Sequence, residues 1–290
     1  MFRPIRRPIL IIAGLGVALS LSACAGGAPQ GPTASPALSA KAAYTAYIAT
    51  LKLKIPGDND LSLLQKADSS TSTGFASAKA AASGSKKSLS KWNGQVSAIH
   101  FPVTVKATVS ALLAANKKEI ADLGAFAGIT ATKQSLATYA ILADSARGSV
   151  ADAALSRALG HPLSQATEAL DRLFVADYEY LTKLLPQESA FNAAVRNRDL
   201  SGLLAATKGQ SSALSDYVAA VRAVPVPLQA TSNLPTFIED SYQLQALYSR
   251  QLAATTADGI LSLPSTNDLL SKLFDARNAV EHDVFNAIPS

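Results

Sequence analysis

"LSLLQKADSSTSTGFASAKAAASGSKKSLSKWNGQVSAI", residues 61–99, decides the fold. Stepping by three and four picks out Leu61, Leu64, Asp68, Thr71, Phe75, Ala78, Ala82, Ser85, Leu89, Trp92, Val96 and Ile99. That spacing puts them on one seam of an α-helix. Asp58, Asn59 or Asp60 supplies a cap at the start, and Pro102 stops the pattern. At 1.5 Å per residue these 39 residues would span about 58 Å, long for a chain of this size. A bend or break is therefore expected at "ASGSKKS", 82–88, where apolar content lapses.

The texture on either side is the same. From Lys41 onward the chain is rich in Ala, Leu, Lys, Gln and Glu, with no alternating β-branched runs between hairpin dipeptides, so strands are not expected. Further helices are read at Val103–Ala127, Thr130–Leu159 (closed by Gly160 and Pro162), Leu163–Leu185 (closed by Pro186) and Gln187–Ala206. Others follow at Ser211–Val224, Leu234–Thr255 and Ser265–Ala287, the last with Ser265 and Asp268 spaced as a capping box.

Laid over itself at a shift of 130, "SARGSVADAAL" (145–155) falls on "DARNAVEHDVF" (275–285), and "IP" (55–56) on "LP" (185–186). At a shift of 125, "VSAIHFP" (96–102) falls on "VRAVPVP" (221–227). Three matches in one order point to an internal duplication. The expected fold is all-α: tandem, duplicated up-and-down four-helix bundles after a disordered tether, with bundle 1 over 41–160 and bundle 2 over 161–290. A single larger bundle is the architectural alternative.

Before the helices the composition changes twice. "AGGAPQGPTASPALSA", 25–40, is uncharged and nearly devoid of large side chains, so it reads as a tether with a typical reach of about 22 Å. Residues 1–23 hold Arg3, Arg6 and Arg7, then "ILIIAGLGVALSL", then small residues ahead of Cys24. This is the layout of a secretory signal, and its apolar core is short for a spanning helix. Leu21-Ser22-Ala23-Cys24 resembles the lipobox of bacterial lipoprotein precursors. The resemblance implies cleavage after Ala23, a diacylglycerol on the Cys24 sulfur, and a body held outside the cytoplasm on the cell membrane. Arg6-Arg7 also resembles a twin-arginine export signal, but Ile5 stands where that signal has Ser or Thr, which favours the general secretory route.

Removing residues 1–23 also removes three of the 26 basic residues, leaving 23 against 21 acids, a net of +2. With no basic stripe or interleaved aromatics, a nucleic-acid partner is set aside. Cys24 is the only cysteine, so no disulfide and no cysteine-based metal site is available.

Among polar residues, Arg147 and Arg277 occupy matching places on or beside apolar stripes, where a guanidinium needs a partner. The third helix of each half offers Asn116 with Glu119, and Asp240 with Ser241. These are read as structural pairs that fix helix register, with a clamp for a ligand carboxylate as the functional alternative. His100, His161 and His282 are the only histidines and none has Glu three residues before it, so no metal site or cofactor is expected beyond the lipid on Cys24. No Gly-x-Ser-x-Gly elbow, free thiol or phosphate loop occurs, and the chain is read as not an enzyme. The expected role is an interaction or scaffold module of the cell envelope, partnered by the membrane through its lipid and by another envelope protein. The alternative is a carrier or sensor of a small apolar or amphipathic ligand in the bundle core or the groove between halves.

Overall fold

Hydroxyl caps punctuate the chain. The computed structural model describes residues 37–67 and 71–288. Ser39 accepts from the Ala42 amide and opens α1, Ala40–Thr50; a 3-10 turn at Leu51–Leu53 leads into α2, Ile55–Lys66, with Pro56 in its first turn. Thr71 caps α3, Ser72–Ser97. A 3-10 turn at Val103–Val105 opens α4, Lys106–Ala125; turns at Phe126–Gly128 and Ala131–Lys133 precede α5, Gln134–Ala158. Ser164 caps α6, Gln165–Asn197, and Arg198 in the left-handed region (φ 50°) turns the chain into α7, Leu200–Arg222. After a 3-10 turn at Leu228–Ala230 come α8, Leu234–Leu252, the short α9, Ala257–Leu261, and α10, Thr266–Asn286. Ser265 caps α10 through the Asn267 amide. Among the described residues no strand occurs, and the chain is an all-α helical bundle.

The glycine stop after α5 works as its sequence suggests. Gly160 adopts φ +87°, its amide bonds the Arg157 carbonyl, and His161 bonds back to Ser156, the paired pattern of a left-handed helix end.

Three boundaries differ from expectation, and at one of them α7 runs unbroken from Leu200 to Arg222 through the gap expected between Ala206 and Ser211. The 61–99 stripe is broken between Lys66 and Ser72, and 82–88 is continuous helix. The small residues at 82–88 serve close packing: a Cβ on Gly57 of α2 would meet Ser88 Cβ at 3.0 Å and the Ser85 carbonyl at 3.4 Å. Pro186 ends nothing, since α6 runs through it for 33 residues. Pro186 is exposed, so water can take the Thr182 carbonyl that the ring leaves unbonded.

Neighbouring helices pack in chain order, α2 on α3, α3 on α4, α4 on α5, then α6 on α7, α7 on α8 and α8 on α10. α10 returns to α6 and closes the second set, while α5 lies along α6 and joins the two. One contiguous apolar core runs from Ala43 to Val284 through both sets, with a small satellite of Ala194, Leu203 and Ile260 beneath α9.

The order of elements recurs. α1 through α2 spans 40–66, and α6 covers the matching stretch 130 positions later, with Pro186 opposite Pro56. The 3-10 turns at 103–105 and 228–230 each follow a proline and lead to α4 and α8. At the centre of the first half Trp92 Nε1 donates to Thr50 Oγ1 at 2.9 Å; the matching residues of the second half, Tyr217 and Tyr180, stack at 4.4 Å.

Short connections between antiparallel helices sort the loops onto two ends. At one end, the Leu38 amide bonds the His100 carbonyl, Tyr44 stacks on His161, and Gln165 donates to the Pro225 carbonyl. The chain's entry into α1 therefore sits with the α3–α4, α5–α6 and α7–α8 turns. The other end holds the C-terminus of α2, the start of α5, the end of α8, α9 and the start of α10.

Candidate functional site

Among the described residues α6 packs on both α5 and α10, and this decides where the repeated arginines find partners. Asp177 and Glu179 are two residues apart, about 200° around the helix, so they face opposite halves. Arg277 of α10 is 1 % exposed; its Nε and Nη2 donate to the two Asp177 oxygens at 2.8 and 2.5 Å. Tyr217 donates to the same carboxylate at 2.7 Å, and Glu281 stands 3.7 Å from Nη1. Burial alone would weaken the guanidinium's hold on its proton, but the Asp177 carboxylate reverses this and raises Arg277. Arg147 of α5 donates to Glu179 at 3.0 and 2.7 Å and to Asp144, and its side chain is 41 % exposed.

The sequence pairings therefore do not form. Asn116 donates to Asn93 at 3.0 Å and lies 3.3 Å from where a Gly148 Cβ would stand; Glu119 is buried nearby, in the field of Lys54. Ser241 donates to its own helix at the Ile238 carbonyl, and Asp240 is half-buried on α8. α4 and α8 do pack on α5 and α10, yet Arg147 and Arg277 bond to acids of α6 instead. The missed partner had a signal: Phe174, Asp177, Leu181 and Leu184 step by three and four, placing an acid in an apolar stripe. Cys24 lies outside the described residues.

The feature with room for a ligand is at the end opposite the chain's entry. A cleft of about 900 Å³ opens between the halves, walled by Leu64–Ala67 of the α2 end, the first turns of α5, the middle of α6, Gln251, α9 and the start of α10. Its apolar side includes Tyr139, Phe191, Leu270 and Phe274. Tyr139 and Tyr178 stack at 6.3 Å, and Tyr178 accepts from Gln65 at 3.3 Å.

Its polar side is short of partners. Gln134, Thr138 and Gln251 line the cleft, are 2, 7 and 4 % exposed, and each holds a buried oxygen with no hydrogen-bond partner. For Gln134 the amide orientation is fixed, because its Nε2 donates to the Ala67 carbonyl at 3.3 Å and leaves Oε1 as the orphan. Buried oxygens of this kind cost about 1–3 kcal/mol each until a donor reaches them. Glu188 also lines the cleft, and burial raises its carboxyl above the usual range. The hydroxyls of Tyr180 and Tyr248, also unpartnered, lie in the field of Glu188 and are themselves raised by burial.

Among the described residues Glu188 and Asp275 are the charged groups of the lining, and no Lys, Arg or His joins them. Also among the described residues, no group of three or more His, Cys, Asp or Glu is arranged to hold a metal, and no helix is long and apolar enough to cross a membrane. The sequence offered a groove between halves as an alternative ligand site but did not mark which residues wall it, because they come from helix ends far apart in the chain. Comparison with family models, curated proteins and solved structures gives no match.

Proposed function

We propose that this chain is a lipid-anchored extracytoplasmic protein that binds, without transforming, a small amphipathic molecule in the cleft between its halves. The observation that carries the reading is the cleft: about 900 Å³ lies within the span typical of ligand pockets, and its walls combine aromatic surface with unpartnered acceptors. Those acceptors call for a ligand that brings donors, hydroxyl, amide or ammonium. Two carboxylates without a basic neighbour in the lining disfavour an anion. The anchor rests on the likeness of Leu21-Ser22-Ala23-Cys24 to a lipobox, with residues 1–23 as signal, 24–40 as tether, and helical bundles over 41–160 and 161–290. The recurrence of elements supports reading these bundles as an internal duplication.

The role of a pure scaffold ranks second. Ile55 and Leu63 are exposed on α2, yet apolar residues scattered singly are ordinary surface.

The test uses the full-length protein in detergent solution and follows its melting temperature with an alkylamine, an alkyl alcohol and an alkyl carboxylate of one chain length, each below its micelle concentration. The amine and alcohol are expected to raise the midpoint and the carboxylate to leave it unchanged. Phe274→Ala should abolish the rise. No rise with any of the three, together with no small molecule released on denaturing protein taken from native membranes, overturns the binding reading.

A further inference from the structure

The end of the bundle opposite the cleft carries its own pattern. Val103 and Leu228 are 72 and 91 % exposed, the most exposed of the large apolar side chains among the described residues. They are matching positions, 125 apart, each directly after a proline and each first in the 3-10 turn that leads to the next long helix. One such residue is ordinary; two at equivalent corners of one end form a pair of apolar tips. Lys41 at the start of α1, Lys106 at the start of α4 and Arg222 at the end of α7 are exposed at the same end, where Asp283 is bonded by Ser232 and Asn233. The described chain also begins here, with Leu38 bonded to the carbonyl of His100, three residues before Val103.

We propose that this end is a membrane-facing surface, seated on the lipid interface with Val103 and Leu228 entering the headgroup region and the cleft turned away from the bilayer. The proposal rests on the anchor at Cys24, and chain length supplies the geometry. Thirteen Cα steps separate Cys24 from residue 37, at most about 45 Å fully stretched. α6, with 33 residues, runs from the entry end toward the cleft end and is about 50 Å long. An inverted body would hold residue 37 about that far above the lipid, at or past the full stretch of the leash. Upright, the span to the lipid is well within thirteen steps, and the tips lie at the end where the described chain begins. Lysine and arginine around apolar tips suit anionic headgroups.

The experiment uses full-length acylated protein in vesicles of mixed phosphatidylglycerol and phosphatidylethanolamine. Val103→Cys, Leu228→Cys and Leu63→Cys each receive an environment-sensitive maleimide dye; acylation has consumed the Cys24 thiol, so only the new cysteine reacts. Leu63, at the cleft end, is 59 % exposed and serves as the control. Dyes at 103 and 228 should shift to the blue and be quenched by brominated lipid, and the dye at 63 should do neither. Mass spectrometry of Cys24 on the same sample separates the two ideas. An acylated Cys24 with water-like dyes at 103 and 228 overturns the orientation alone; an unmodified Cys24 overturns the anchor and the orientation with it.

Discussion

The buried Arg277–Asp177 pair and its exposed counterpart at Arg147 should respond very differently to the same substitution. Arg277→Met leaves a fully buried carboxylate with only the Tyr217 hydroxyl, at 2.7 Å, to hold it. Removing one partner of such a pair costs about 3–5 kcal/mol. At about 2–4 °C per kcal/mol for a chain of this size, the melting temperature should fall by about 6–20 °C. Arg147→Met removes contacts to Glu179 and to the buried Asp144 from a side chain 41 % exposed; Lys118, 2.5 Å from Asp144, still neutralises that carboxylate, so the loss should be about 0–1 kcal/mol, or at most about 4 °C. The triple variant Asp177→Leu, Tyr217→Phe, Arg277→Met removes the fully buried pair and the hydroxyl bonded to it, leaving Glu281 at the edge, and should recover most of the loss. Urea titrations followed by circular dichroism on all four proteins supply the comparison. Equal, small losses at the two arginines, or a triple variant no better than Arg277→Met, would refute the view that charge burial and not charge pairing sets the cost.

Three further outcomes follow from local geometry. Gly94 is exposed within α3, with nothing within 4 Å of where a Cβ would stand, so Gly94→Ala should raise stability by about 1 kcal/mol, while Gly57→Ala, 3.0 Å from Ser88 Cβ, should lower it; urea midpoints give both signs. Glu188 has a raised carboxyl in the fold, so the folded state holds more protons than the unfolded one as pH climbs from about 4, and stability falls across that range. Glu188→Gln should remove that fall, seen as a flatter dependence of the urea midpoint between about pH 4 and pH 7. Trp92→Phe deletes the 2.9 Å bond to Thr50 Oγ1 in the buried centre of the first half and should cost about 1–3 kcal/mol by the same titration.

The helical class was legible because the 61–99 stripe, the Ser265 cap and the Gly160 stop are local signals, and each acts locally in the fold. That one helix ends at Lys66 and the next starts at Ser72 was not legible for a geometric reason. Leu64 to Thr71 is seven residues, about two turns, so the stripe keeps its phase across the interruption and counts as continuous. Pro186 misled in the opposite sense, since a proline on an exposed helix face forfeits one bond that water replaces. Both arginines stood out in the sequence, but only Arg277 is buried, and the partners of neither could be chosen without knowing that α6 lies between α5 and α10. Asp177 was visible as an acid in the stripe Phe174–Leu184; which cation it meets is a property of tertiary packing.

The two ends of the molecule relate to the recurrence of its elements in opposite ways. At the entry end the halves agree: proline, an exposed apolar residue and a 3-10 turn appear at both 102–105 and 227–230. At the cleft end they differ. Eight residues, 126–133, connect α4 to α5, whereas thirteen, 253–265, connect α8 to α10 and include α9. That longer connection supplies Ile260, Leu261, Leu263 and Pro264 to the wall, and α9 is held by α7 and α8 of its own half. A surface repeated in both halves suits a featureless partner such as a lipid interface, which offers the same chemistry to each copy. A ligand cleft needs one set of walls, and it sits where the second half adds a segment that the first half lacks. Strict repetition would have made the halves alike at both ends; the five extra residues of the second half set them apart at the cleft end and wall the cleft there.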